Sequence, residues 1–238
     1  MRRIACLALI VLASCVEVSQ TGQPTRPAPQ PAVARRPAAP VVTRDKIQQF
    51  LTVVQRVEPV AERECRSRSP QFNCDFRIVV DDRPGQPINA YQTLDRNGQP
   101  ILAFTLPMIA SVRNADELAF VMGHEASHHI AGHIPRQQQS AAAGALILGG
   151  IAAVTGAGQE AVDQAVRVGA GVGGRVFSKE YELEADALGT VITHKSGYDP
   201  VRGVAFFSQI PDPGNRFLGT HPPNAQRIET VRRVAAGL

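Results

Sequence analysis

The feature that most constrains this chain is the segment FVMGHEASHHIAGH at residues 120–133, which holds four of the six histidines. His124 and His128 lie four residues apart, so on a helix both imidazoles extend from one face and can share a metal ion. Glu125 is turned by about 100° from His124, which directs it toward a metal-bound water. This HExxH arrangement predicts two zinc ligands and a general base. Histidines that only fill a core are disfavoured, because unliganded imidazoles are costly to bury.

Two further histidines, His129 and His133, follow on the same segment. If the helix continues through them, they point about 140° and 180° away from His124, so neither can join its metal. We expect His129 at the rim of the site and His133 as a structural hydrogen-bonding residue, with a second metal as the less favoured alternative. Ala131 and Ile134 occupy the positions at which a longer zinc motif carries glycine and a third histidine. The third ligand must therefore come from another segment.

A second segment, SKEYELEADALGT at residues 178–190, is unusually rich in carboxylates. Glu182 and Asp186 lie four residues apart and share a helix face. We expect that face to turn inward, with Glu182 on the zinc and Asp186 holding a ligand histidine. Glu180 and Glu184 are expected to point outward. The alternative is that all of these carboxylates form a solvated helix surface.

The remaining sequence predicts mainly helices. The apolar period starts a helix near Thr43, and Asn114 with Glu117 forms a predicted capping box at the start of the motif helix. Another helix is predicted over residues 178–196. Residues 140–157 are uncharged and rich in glycine and alanine. That composition favours a buried or membrane-touching helix pair over a membrane-spanning hairpin.

Strand signals occur in a short region before the motif helix. The run FRIVVDD predicts one strand, and the residues around Asn97-Gly98 predict a hairpin of two more. A small sheet is therefore expected beside the motif helix, which gives an α+β fold class.

Four blocks, HEASH, EYELEADALG, GYDP and THPPNAQRI, are similar in order and spacing to those of the HtpX/CAAX-prenyl-protease family of gluzincin metallopeptidases. The resemblance covers roughly residues 85–232. The chain looks most like the compact bacterial lipoprotein members. The resemblance implies a mainly helical, zincin-like α+β metallopeptidase domain, with a small sheet or hairpin beside the HExxH helix.

By position, the resemblance implies one Zn²⁺ per chain, with His124, His128 and Glu182 as its ligands. Glu125 is implied to be the general base. Asp186 is implied to orient a ligand histidine.

The block THPPNAQRI contributes His221 and Arg227, which the resemblance implies to stabilise the tetrahedral intermediate or to cover the zinc. The segment INAY resembles the family's strand beside the active site. We expect the Ile88–Thr93 segment, including Asn89 and Ala90, to be the sheet edge along which an extended substrate lies.

The N-terminal sequence MRRIACLALIVLASC predicts a signal peptide over residues 1–14. Cys15 resembles a lipobox cysteine that becomes lipidated, while an ordinary signal peptide with a chance cysteine is the alternative. In an exported chain, Cys65 and Cys74 are expected to form a structural disulfide. A metal-binding cysteine pair is the less favoured alternative.

Residues 15–42 include a proline-rich stretch and predict an extended linker. Residues 43–238 are predicted to form the zinc metallopeptidase domain. The formal net charge of the whole chain is +4, yet from Val42 onward 20 basic residues balance 20 acidic residues. The predicted domain therefore has no basic excess, which argues against nucleic-acid binding.

These observations predict a zinc-dependent endopeptidase that hydrolyses unfolded or misassembled cell-envelope proteins. The expected location is the periplasmic side of the bacterial outer membrane, through the lipid anchor, with polypeptides as partners and no nucleic acid. Two alternatives are a zinc-containing chaperone or assembly lipoprotein with a shut or weakly active site, and a structural lipoprotein without metal. The sequence carries no signal for an oligomeric state.

Overall fold

The computed structural model describes residues 42–176, 178–214 and 221–238, which belong to one compact unit. The predicted signal peptide, Cys15 and all but the last residue of the predicted linker lie outside the described residues. The fold is α+β and mainly helical, as predicted, with one three-stranded sheet among the described residues.

The first helix, α1, spans Arg44–Arg68. Thr43 caps its N-terminus, because the Thr43 hydroxyl accepts a hydrogen bond from the Lys46 backbone N–H. One face of α1 is buried in the core. Its last turn is bonded to the following loop by the disulfide between Cys65 and Cys74, which confirms the predicted pairing.

The sheet contains β1 (Arg77–Asp81), β2 (Ala90–Leu94) and β3 (Pro100–Thr105), in the order β1-β3-β2. The hairpin between β2 and β3 is antiparallel, as predicted, and Gly98 takes a left-handed φ of 80° at its turn. Strand β1 pairs with β3 in parallel. Strand β2 is therefore an edge of the sheet.

A short helix, α2 (Leu106–Ser111), follows β3 and was not predicted. The motif helix, α3 (Ala115–Ile130), begins after Asn114, whose side chain accepts from the Glu117 N–H at 3.0 Å. In a capping box the Glu117 carboxylate would accept from the backbone N–H of Asn114. Here it accepts instead from the N–H of the preceding residue, Arg113, at 2.6 Å. Nearly every residue of α3 is buried, and the helix contacts α1 and β2.

Two long helices, α4 (His133–Val154) and α5 (Gln159–Val176), form an antiparallel pair after the motif helix. Their backbones touch at glycines. A Cβ added to Gly144 would lie 2.2 Å from the Gly169 carbonyl oxygen. The two helices therefore pack closely on each other through small residues.

For residues 140–157 the prediction was a buried or membrane-touching helix pair, and the structure contradicts burial. Apolar side chains on α4 face outward, and Leu146 is 77% exposed and Val154 86% exposed. The reason is that the small residues of the pair pack helix against helix and leave the larger ones on the outside. Among the described residues, no helix is both long enough and apolar enough to cross a bilayer.

The remaining elements are α6 (Ser178–Lys195), α7 (Pro200–Gly203), a 3-10 turn (Val204–Gln209) and α8 (Asn224–Ala235). Helix α6 packs on α3 and α8.

The crossing of α6 and α3 brings two glycines together. A Cβ added to Gly189 would lie 2.9 Å from the His124 backbone nitrogen, and one added to Gly123 would lie 3.0 Å from the Gly189 carbonyl oxygen. The two helices can approach this closely because neither glycine carries a side chain.

Candidate metal centre

The crossing of α3 and α6 brings together His124, His128 and Glu182, with one ligand atom of each within 4.8 Å of the others. The two histidine Nε2 atoms lie 3.0 Å apart. The Glu182 carboxylate oxygens lie 3.6 Å from His124 Nε2 and 3.4 Å from His128 Nε2. These three side chains come from helices far apart in sequence, and the fold places their donor atoms around one point.

The donor set fits zinc. Two imidazole nitrogens and one carboxylate, with space left for water, are the ligands that catalytic zinc prefers. Within the described part of the chain, this is the only group of three or more His, Cys, Asp or Glu side chains close enough to hold a metal ion. His124 and Glu182 are buried, so a cation between them would be shielded from bulk water.

His124 is oriented from behind by a buried ion pair. Its Nδ1 donates to the Asp186 carboxylate at 2.9 Å, and Asp186 is fully buried. Arg227 donates to both Asp186 oxygens at 2.7 Å, and its guanidinium lies 3.6 Å from the centre of the Phe207 ring. Burial alone would lower the pKa of His124, but the hydrogen bond to Asp186 raises it above the usual value.

The structure places His133 directly behind His128, with the two Nδ1 atoms 2.8 Å apart. His133 Nε2 lies 3.2 Å from a Glu184 oxygen, which also accepts from Arg136 at 2.7 Å. Glu184 is half-exposed, in keeping with the predicted outward orientation. Its carboxylate nevertheless hydrogen-bonds His133 and Arg136.

His129 is not at the rim, contrary to the prediction. It is buried on the opposite side of α3, between the rings of Phe72 and Phe76, and its Nε2 donates to the Asn73 carbonyl at 2.7 Å. Burial lowers the pKa of this imidazole. His129 therefore stabilises the disulfide-closed loop and contacts none of the candidate ligands.

Glu125 is buried beside the candidate ligands. Desolvation raises the pKa of its carboxyl to about 7, although the His124 charge and a hydrogen bond from the Gln92 backbone lower it. The backbone bond connects Glu125 to the edge strand β2. A carboxyl whose pKa lies near neutrality is suited to accept and release a proton.

His221 and Arg227 both reach the candidate ligand Glu182. His221 Nδ1 lies 3.1 Å from Glu182 Oε2, and Arg227 lies 3.4 Å from the same oxygen. Burial alone would raise the pKa of Glu182, but the His221 hydrogen bond and the surrounding positive charges hold it well below its usual range. Glu182 is therefore anionic at neutral pH.

A cavity of about 440 Å³ opens beside the candidate ligands, and both Glu125 and the edge strand β2 line it. Asn89 and Ala90 lie at the start of this wall, and Asn89 immediately precedes the strand. Phe206 and Phe207 form an apolar wall that sequence reasoning missed. Two phenylalanines in a short helical segment have the signature of ordinary core residues, so no sequence signal marked them.

An HExxH helix, a carboxylate from a second helix and a small sheet edge beside them define a zincin-like metallopeptidase domain. Residues 48–235 match peptidase family M48, and the chain belongs to this family. The family resemblance read from the four sequence blocks is thereby confirmed.

The chain is also similar to curated relatives. It is 31% identical over 144 residues to the beta-barrel assembly-enhancing protease of Escherichia coli (strain K12), with 51% of this chain and 28% of that protein covered. The protein of the same name from Escherichia coli O157:H7 is 30% identical over 144 residues, with the same coverage. The match thus spans 28% of the length of these relatives.

Proposed function

We propose that this chain is a zinc-dependent endopeptidase that hydrolyses peptide bonds of unfolded or misassembled cell-envelope proteins. The observation that carries the proposal is the convergence of His124, His128 and Glu182 beside Glu125, at one end of a cavity walled by an edge strand. Membership of peptidase family M48 supports the same reaction class.

Zinc held by His124, His128 and Glu182 would polarise the scissile carbonyl and acidify a bound water. Glu125 lines the cavity together with the three candidate ligands, which is the position of a general base. Its carboxylate takes a proton from the attacking water and then delivers that proton to the leaving amine nitrogen.

The edge strand β2 offers a surface for an extended polypeptide. An unpaired strand edge binds peptides by adding a strand, mainly through backbone hydrogen bonds. Residues Asn89 to Gln92 line the cavity, so a peptide paired with this edge passes next to Glu125. Recognition through the backbone gives weak sequence preference, which suits degradation of unfolded chains.

We assign different tasks to His221 and Arg227. The guanidinium of Arg227 is buried and bonded to both oxygens of Asp186, so it fixes the support of His124. His221 is 53% exposed at the mouth of the site and is therefore better placed to donate a hydrogen bond to the developing oxyanion.

We further propose that residues 1–14 are a signal peptide, that Cys15 is lipidated and that residues 15–42 link the anchor to the domain. The protein would then act at the periplasmic side of the outer membrane. The relatives named for β-barrel assembly support a substrate among envelope proteins.

The test uses purified protein and casein as an unfolded substrate. Wild type is expected to contain about one zinc per chain and to degrade casein until a chelator is added. Glu125→Gln should retain zinc and lose activity by about 100- to 10,000-fold. Glu180→Gln is the matched control, because Glu180 is an exposed carboxylate on α6 outside the site. A zinc content near zero, or full activity in Glu125→Gln, would overturn the proposal.

The second candidate is a zinc-containing chaperone or assembly factor whose site is shut. The contact of 3.1 Å between His221 and Glu182 favours it, because His221 stands at the open side of the candidate ligands. This function predicts no casein cleavage by wild type and cleavage by His221→Ala. It also predicts that Glu125→Gln preserves the cellular function, which an endopeptidase cannot do.

A further inference from the structure

A histidine that binds a metal through one ring nitrogen is usually oriented by a partner on the other nitrogen. His124 has such a partner in Asp186. His128 directs Nε2 toward His124 and Glu182, and its Nδ1 toward His133. The question is what His133 does for His128.

We propose that His133 is the positioning residue for His128, and that it connects this candidate ligand to the carboxylate of Glu184. The inference rests on the proposed zinc site. It concerns how the second histidine is oriented and which of its nitrogens is left bare.

The hydrogen-bond chain fixes the positions of the protons. An ionised carboxylate only accepts, so His133 Nε2 carries the hydrogen that it shares with Glu184 at 3.2 Å. In neutral His133, Nδ1 is then bare and acts as an acceptor. The contact of 2.8 Å between the two Nδ1 atoms therefore requires a hydrogen on His128 Nδ1. His128 Nε2 is left bare, as a metal ligand must be.

Other contacts hold His133 in this place. Its ring stacks on Tyr181 with centroids 4.7 Å apart and planes 13° from parallel. Arg136 lies 4.4 Å from the centre of the same tyrosine ring and donates to Glu184. His133 is only 5% exposed. The imidazole is thus packed on one side and hydrogen-bonded at both nitrogens.

The chain reaches this geometry through a break after α3. On a continuous helix, a residue five positions after His128 would be rotated by about 140° from it. The helix instead ends at Ile130, and Gly132 adopts a left-handed φ of 66° before α4 starts at His133. The break turns His133 back toward His128.

His133 does not serve as another ligand. The group of side chains able to hold the metal consists of His124, His128 and Glu182. His133 lies on the Nδ1 side of His128, whereas the donor atoms meet on the Nε2 side. Its effect on the metal therefore passes through His128.

The decisive variants are His133→Phe and His133→Asn, with zinc affinity measured by chelator competition. Phenylalanine keeps the stacked ring and removes both nitrogens, so we expect zinc binding to weaken about 10- to 100-fold. Asparagine keeps a carbonyl acceptor near the position of Nδ1 and should recover most of that loss. Glu184→Gln removes the terminal charge and should weaken binding about 3- to 10-fold. The melting temperature of each metal-free variant is the control for folding.

A readout independent of zinc is the ¹⁵N NMR spectrum of the His128 ring in the metal-free protein. Wild type should show hydrogen on Nδ1, and His133→Phe should shift the tautomer population toward hydrogen on Nε2. The half-exposed Glu184→Gln variant provides the same test if His133→Phe fails to fold.

The inference is overturned if His133→Phe binds zinc as tightly as wild type. It is equally overturned if His133→Phe and His133→Asn weaken zinc binding to the same extent and both lower the melting temperature of the metal-free protein. A third contradicting outcome is a Glu184→Gln variant whose zinc affinity and His128 tautomer are both unchanged. If the wild-type protein still binds zinc and cleaves casein when one of these results is obtained, the inference fails but the proposed function stands. Wild type that binds no zinc would overturn the proposed function itself.

Discussion

The two candidate histidine ligands are supported in contrasting ways. Behind His124 stands a buried pair, Asp186 and Arg227, whose side chains are 0% and 6% exposed. Behind His128 stands His133, and the ion pair beyond it lies at the surface, with Arg136 and Glu184 42% and 47% exposed. We call these the buried support, formed by Asp186 and Arg227, and the surface support, formed by His133, Glu184 and Arg136.

The difference concerns how the charge is solvated. The charges of the buried support interact strongly at low dielectric, and each depends on the other because water does not reach them. The charges of the surface support are hydrated and screened, so their attraction is weak. Both supports place a hydrogen on Nδ1 of a candidate ligand. Only the buried support is expected to contribute substantially to the free energy of unfolding.

The largest expected difference between the supports is in the free energy of unfolding, when the cation of each support is removed in turn. Arg227→Met leaves the Asp186 carboxylate buried without its cation, so the free energy of unfolding should fall by about 3–5 kcal/mol. Arg136→Met removes a surface partner and should cost about 0–1 kcal/mol. Denaturant unfolding of the metal-free variants measures both changes. Equal losses in the two variants would mean that the supports do not differ in energy.

Zinc affinity should show a smaller difference between the supports. Asp186→Asn alters the group bonded directly to His124, so we expect about 100-fold weaker binding. Glu184→Gln acts through His133 and should weaken binding by about 3- to 10-fold. Chelator competition on both variants, with Glu180→Gln as a matched surface control, makes the comparison. A larger effect at Glu184 than at Asp186 would reverse the ranking.

The smallest expected effect is the salt dependence of the zinc-affinity loss in these two variants. Raising the ionic strength from about 0.05 M to about 0.5 M shortens the screening length several-fold. The zinc-affinity loss in Glu184→Gln should therefore shrink, by about twofold, because the wild-type surface charge is already screened. The loss in Asp186→Asn should stay constant. Competition titrations at both salt concentrations measure these changes, and a salt-dependent Asp186 effect would contradict the burial argument.

The parts of the site that sequence reasoning found are those that helical spacing determines. His124 and His128 share a face because they are four residues apart, and the same spacing directs Glu182 and Asp186 to one side of α6. Which distant helix supplies the third donor is not a local property. Glu182 was proposed for this role because the carboxylates are unusually dense in one segment.

The parts that sequence reasoning missed depend on breaks and on distant contacts. Extending the helical angle through Gly132 gives His133 a wrong direction, because the left-handed φ at Gly132 interrupts the helix. The parallel pairing of β1 with β3 joins strands separated by the whole of β2. The exposure of the apolar face of α4 could not be predicted, because composition shows which residues are apolar but not what covers them.

The glycine crossing of α3 and α6 has a consequence for the distance between the candidate ligands. His124 lies next to Gly123 on one helix, and Glu182 lies on the helix that carries Gly189. A methyl group at either glycine would move the two backbones apart and lengthen the span between imidazole and carboxylate. The short distance between the His124 imidazole and the Glu182 carboxylate therefore depends on the missing side chains of these two glycines.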